Sequence, residues 1–132
     1  RRSYDISPSA LDDYVNNHPR FEERYSGISD FPTSESLKDT LLRVKPYWHT
    51  KIIPALLGNQ DVLVVAHGNS LRAMVKMIEN ISEEEIIAFN IPTGIPLVYE
   101  FNENLKPVKK GFIRDPDFIE QAKQAVASKG LA

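Results

Sequence analysis

The feature that most constrains the fold is a short apolar run followed by a polar turn and a helix. Residues 62–66 (Val-Leu-Val-Val-Ala) are continuously apolar and rich in β-branched side chains. Such a run is typical of a strand buried on both faces, as in a parallel sheet. A His-Gly-Asn-Ser turn follows at residues 67–70, and apolar residues at helical spacing then continue to Ile78. This order predicts an α/β fold.

Further elements are predicted on both sides of this strand. A helix should begin near Leu37 after a serine cap and end at Gly58, with a kink or break at Pro46. Ser82, followed by three glutamates, predicts another helix start. The remaining predicted elements are a short helical piece at 11–15, strands at 96–101 and 108–113, and a last helix at 117–127. Together they predict a three-layer α/β architecture, with helices flanking a mostly parallel mixed sheet.

Composition excludes several classes of function. The 132 residues carry 16 Lys and Arg against 18 Asp and Glu, so the net charge of −2 provides no basic field for nucleic acid or an anionic membrane. There is no cysteine, which excludes disulfides and thiolate metal sites and fits a reducing, cytoplasmic location. No apolar run approaches the roughly 20 residues needed to span a bilayer.

The turn at residues 67–70 is the strongest candidate site. Ligands of open α/β sheets bind beyond the carboxyl ends of the strands, and a helix N-terminus attracts anions. There, His67 could donate to a phosphoryl oxygen or move a proton, while Gly68 allows close approach to the backbone. A capped turn with a purely structural histidine remains an equal alternative. The guanidinium groups of Arg1 and Arg2 match the geometry of phosphate. The residues alone nevertheless favour a charged, solvated chain terminus.

Other candidate residues have simpler interpretations. His18 and His49 have no partners at metal-ligand spacing and are expected to be solvated or packed. Arg72, on the predicted helix after His67, is expected to be exposed or ion-paired. No metal site is therefore predicted.

The sequence resembles the C-terminal half of cofactor-dependent phosphoglycerate mutases, a family of the histidine phosphatase superfamily. The resemblance covers most of residues 1–114, in family order. The matching stretches are 1–5 (Arg-Arg-Ser-Tyr-Asp), 35–40 (Glu-Ser-Leu-Lys-Asp-Thr), 46–48 (Pro-Tyr-Trp), 66–73 (Ala-His-Gly-Asn-Ser-Leu-Arg-Ala) and 90–100 (Asn-Ile-Pro-Thr-Gly-Ile-Pro-Leu-Val-Tyr-Glu).

The resemblance implies a reaction and a set of site residues. Such enzymes interconvert 2-phosphoglycerate and 3-phosphoglycerate in glycolysis and gluconeogenesis through a phosphohistidine. They are primed by 2,3-bisphosphoglycerate and use no metal. His67 would be the second, cationic active-site histidine, and Gly68, Asn69, Arg1 and Arg2 would bind substrate.

The departures from the family are equally informative. The nucleophilic histidine of the family lies in an Arg-His-Gly motif, which this sequence lacks, and the family's proton-shuttling glutamate is missing too. We therefore interpret residues 1–132 as the C-terminal part of one mutase domain, with a tail at 115–132 and an incomplete sheet. The expected partners are the missing N-terminal half and, for the parent, further copies in a homo-oligomer. The alternatives are a non-catalytic phosphate-binding fragment, a superfamily phosphatase or a bisphosphoglycerate mutase.

Overall fold

A computed structural model describes residues 3–10, 18–30 and 33–128 of the chain. Within these residues the fold is α/β, with helices and a two-stranded antiparallel sheet. The α-helices are α1 (Leu37–Tyr47), α2 (Ile53–Leu57), α3 (Gly68–Glu79), α4 (Glu83–Ala88) and α5 (Pro116–Ser128), and the strands are β1 (Leu97–Phe101) and β2 (Pro107–Phe112). Two 3-10 turns lie at Pro19–Phe21 and Glu23–Tyr25. The helix predicted at 11–15 and the chain end at 129–132 lie outside the described residues.

The helix starts predicted from serine caps are confirmed. The Ser36 hydroxyl accepts from the Asp39 amide at 3.2 Å, and the Asp39 carboxylate accepts from the Ser36 hydroxyl at 2.6 Å and its amide at 2.9 Å. These bonds satisfy backbone donors that the first turn of α1 leaves unpaired, and they lower the pKa of the Asp39 carboxyl. Ser82 and Glu85 form the same reciprocal cap at α4.

Pro46 changes the helix rather than splitting it. α1 continues through Pro46 to Tyr47 and then widens into a π-helical turn at Trp48–Ile52 before α2 begins. A proline removes one backbone donor and crowds the preceding turn, and a wider turn relieves both effects. The Thr50 hydroxyl donates to the Pro46 carbonyl at 2.8 Å. Gly58 caps α2, as predicted.

Helix α3 lies between two hydrophobic clusters. The first contains Ala73 of α3, Ile86 of α4 and Leu37 of α1, and Tyr4 packs with them. The second contains Met74 with Trp48 and Ile52 of the π-helical turn. Burial on both sides fixes α3, and with it the turn at its N-terminus.

The predicted pair of strands is confirmed as an antiparallel hairpin. Leu97 lies opposite Phe112 and Glu100 lies opposite Lys109, with an irregularity after Glu100. The hairpin is tied to α3 through Glu79, whose carboxylate accepts from the Tyr99 hydroxyl and from Lys110 Nζ at 2.8 Å. The hairpin therefore packs on the end of α3 distant from His67.

Replacing Tyr99 by phenylalanine is expected to weaken the loss of stability at alkaline pH. Burial, with the Glu79 carboxylate beside it, raises the pKa of the Tyr99 hydroxyl above its ordinary value of 10.0. The folded state then keeps this proton while the unfolded chain loses it, so stability declines as the pH rises above about 10. The free energy of unfolding in urea, measured for the wild type and Tyr99→Phe between pH 8 and 11, checks this. Tyr47→Phe, at a tyrosine that is 61% exposed, is the control and should retain the wild-type dependence.

The segment at residues 62–66 corrects the sequence prediction. It has no regular secondary structure, and no strand pairs with it among the described residues. Val64 packs on the second cluster, whereas the Leu63 and Val65 side chains are each 86% exposed. The prediction of burial on both faces is therefore wrong for this chain. The physical reason is that helices cover one face of the segment, while the described residues supply no neighbouring strand and no second layer.

Residues 62–66 border a groove of ≈550 Å³. Its lining includes Val62 and Val64 on one side and Tyr47, Ile52 and Met74 on the other. The lining is mostly apolar, with Arg43, Lys51 and Ser70 also bordering the groove.

A cation–π contact joins helix α5 to the hairpin. Lys123 Nζ lies 5.2 Å from the centre of the Phe112 ring, a cation–π distance. Among the described residues, none of the helices combines the length and apolar character needed to cross a membrane.

Candidate active site

His67 caps α3 through its side chain. The residue is extended (φ −60°, ψ 146°), and its Nδ1 accepts from the Asn69 amide at 3.2 Å. An accepting Nδ1 carries no proton, so in this arrangement the ring proton lies on Nε2. A cationic ring, as the resemblance implies, would have to release the Asn69 amide. In either form the exposed ring retains an Nε2–H donor for an anion.

Gly68 and Asn69 form the first turn of α3 beside this ring. The first amides of an α-helix have no intrahelical acceptor and lie at the positive end of its dipole. A side chain added at Gly68 would meet no atom within 4 Å, so the glycine leaves open space over the backbone. The structure thus brings His67, Gly68 and Asn69 together at one helix end, as the sequence predicted.

Arg72, for which the sequence predicts exposure or an ion pair, makes contacts near the site that the sequence did not predict. It is half-buried, and its guanidinium donates to the carbonyls of Ile86 at 2.5 Å and Ile87 at 3.4 Å, and to Asn69 Oδ1 at 3.4 Å. The sequence signal was its position three residues after Asn69, which places both on one helix face. The carbonyls of α4 could not be anticipated from spacing.

The remaining predicted site residues are only partly described. Arg1 and Arg2 lie outside the described residues, so their position relative to His67 stays a prediction. Tyr4, two residues after Arg2, packs in the cluster that contains Ala73 of α3. Lys76, also on α3, lies 5.0 Å from the Tyr4 ring.

The side chains of His18, His49 and Glu35 differ in their burial and in their contacts. His18 is buried, and its Nδ1 accepts from the Arg20 amide at 3.1 Å, whereas His49 is exposed. Hydrogen bonds from Arg43 lower the pKa of the Glu35 carboxyl and place this glutamate in an ion pair. In the described part of the chain, no group of three or more His, Asp or Glu side chains is arranged to hold a metal ion.

Sequence comparison identifies the family to which the chain belongs. The chain belongs to the histidine phosphatase superfamily (branch 1), whose family model matches residues 8–110. It is similar to the 2,3-bisphosphoglycerate-dependent phosphoglycerate mutases of Borrelia garinii subsp. bavariensis and Borreliella afzelii, with 48% identity to each over 132 residues. These matches cover 98% of this chain and 53% of each relative. The chain therefore spans about half the length of the curated relatives it matches.

Proposed function

We propose that residues 1–132 are the C-terminal part of the single domain of a 2,3-bisphosphoglycerate-dependent phosphoglycerate mutase, with a tail at 115–132. The parent enzyme interconverts 2-phosphoglycerate and 3-phosphoglycerate in glycolysis and gluconeogenesis, and we place it in the cytoplasm. The observation that carries this proposal is the 48% identity to proteins of that name over nearly the whole chain. The histidine at the N-terminus of α3 supports it.

The proposed role of this half is to bind and stabilise anionic groups. His67 donates through Nε2 to an oxygen of the transferring phosphoryl group, which is electrostatic stabilisation by a positioned donor. Gly68 and Asn69 bind the same anion through the helix end, and Arg1 and Arg2 bind the substrate phosphate or carboxylate.

The donor set at this helix end fits a multiply charged anion. The donors are the imidazole N–H, the Asn69 side-chain amide and the first-turn amides other than that of Asn69, which already donates to His67 Nδ1. When bound, 2,3-bisphosphoglycerate supplies the phosphoryl group that primes the enzyme. No metal is part of the proposed mechanism.

The proposed partner of this half is the remainder of its own domain. That part would supply the Arg-His-Gly nucleophile, which this sequence lacks, and the strands that cover residues 62–66. The exposed Leu63 and Val65 side chains support this assembly, since a contiguous apolar surface marks an interaction site. We further propose that the complete parent forms a homo-oligomer.

The full-length protein is expected to convert 3-phosphoglycerate to 2-phosphoglycerate when given a trace of 2,3-bisphosphoglycerate. Phosphorus NMR follows both isomers and inorganic phosphate in one sample. Residues 1–132 alone are the matched control and should give no turnover, because they lack the nucleophile. Release of inorganic phosphate without the second isomer would overturn the mutase in favour of a phosphatase. In a second sample that contains 1,3-bisphosphoglycerate as the phosphoryl source, net formation of 2,3-bisphosphoglycerate would identify a bisphosphoglycerate mutase.

A further inference from the structure

Arg72 joins the candidate site to a separate helix. From the second turn of α3, its Nη1 donates to Asn69 Oδ1 at 3.4 Å, while its Nη2 donates to the carbonyls of Ile86 and Ile87 at 2.5 and 3.4 Å. One planar group therefore contacts both the His67 turn and the end of α4.

The Arg72 guanidinium is held mainly at α4, where its surroundings are better packed than at Asn69. Ile86 is fully buried in the first cluster and lies in the last turn of α4. The carbonyls of a last helical turn have no amide donor within the helix. A cation at a helix C-terminus is also favoured by the helix dipole. The half-buried guanidinium is thus held by α4, and the exposed Asn69 side chain is held by the guanidinium.

The chemistry of the two groups fixes which way the Asn69 amide faces. A guanidinium offers donors and no acceptor, so it must contact the amide oxygen. The two N–H bonds of Asn69 Nδ2 are then left to donate elsewhere. A flipped amide would present its oxygen to an anion at the helix end and would place its NH2 group against the guanidinium, so both contacts would be unfavourable.

We propose that Arg72 is a positioning residue that orients the Asn69 amide, so that its NH2 group faces the phosphoryl or carboxylate oxygens of a phosphoglycerate. This inference rests on the proposed function, because it assigns Asn69 to substrate. Arg72 itself acts through Asn69 and does not touch the substrate.

A double-mutant cycle in the full-length protein tests this inference. Arg72→Met keeps the apolar stem and removes the guanidinium, and Asn69→Ala removes the oriented amide. Each single change is expected to raise the KM for 3-phosphoglycerate about tenfold, as for a lost hydrogen bond to a charged group. Because both remove the same interaction, Arg72→Met should change the KM less than about twofold in the Asn69→Ala background.

The structural role of Arg72 is separated from its positioning role by the melting temperature. Arg72→Met should lower the Tm equally in both backgrounds, since the α4 carbonyls lose their donor in each. Lys76→Met is the matched control. Lys76 lies on the same helix and donates to the Ile81 carbonyl at 2.5 Å, so its loss should lower the Tm and leave the KM unchanged.

Two outcomes would overturn the proposal. Additive effects of Arg72→Met and Asn69→Ala on the KM would show that Arg72 contacts the substrate independently, and an unchanged KM in Arg72→Met would show a purely structural role. If the wild-type protein has no mutase activity, the proposed function fails. The same cycle read in the Kd for inorganic phosphate then decides the role of Arg72, with additivity or no change again contradicting it.

Discussion

Replacing His67 by alanine in the full-length protein is expected to lower mutase turnover by about 10²–10³-fold, the usual cost of losing one donor to a developing negative charge. The ring caps α3 through Nδ1, so Nε2–H is the donor that a phosphoryl oxygen would meet. Steady-state assays of 3-phosphoglycerate conversion measure the effect. Loss of the cap adds a separate cost of about 1 kcal/mol in the free energy of unfolding.

Two further variants separate the chemistry from the cap. Asparagine is among the best N-cap residues, so His67→Asn should keep the stability of α3 and still lose turnover. His49→Ala removes an exposed histidine from the π-helical turn and should leave turnover unchanged. Wild-type turnover in His67→Ala would contradict the role proposed for this residue.

Replacing Val65 by aspartate in the full-length protein is expected to prevent folding or to destabilise it severely. In this chain Val65 is 86% exposed, so its local surroundings alone would predict a harmless change. If the remainder of the domain covers residues 62–66, however, the carboxylate is buried without a partner. An uncompensated buried charge costs about 3–5 kcal/mol, which approaches the whole stability of many domains.

The matched control for this change is Val108→Asp. Val108 lies on β2 and is 64% exposed, so its replacement should be nearly neutral. Soluble yield and urea unfolding of the two full-length variants give the comparison. Wild-type stability of Val65→Asp would mean that residues 62–66 stay uncovered in the whole protein, and the proposed assembly would be wrong.

Local signals in the sequence predicted most of the described secondary structure. Ser36 and Ser82 fix their helix starts by hydrogen bonds within four residues, and the hairpin at 97–112 depends on neighbouring strands. Residues 62–66 differ because burial of a central strand depends on layers that this chain does not supply. The apolar pattern predicted a buried strand, but the described residues contain no strand there, and the pattern could not say what covers the segment.

The same distinction applies to the candidate site. His67, Gly68 and Asn69 are consecutive, so sequence alone placed them together at one helix end. The contacts of Arg72 with α4 join residues that are 14 and 15 positions apart, and they depend on how two helices pack. No spacing rule for a single helix predicts such a contact.

The position of α3 between two clusters has a consequence for how a complete site would form. Ala73 anchors one side of the helix and Met74 the other, so the turn carrying His67 is held by contacts within this chain. Under the proposed function, this half is a preorganised template. Most of the conformational entropy lost on association is then lost by the strands of the other half, because the anion-binding helix end is ordered before they bind.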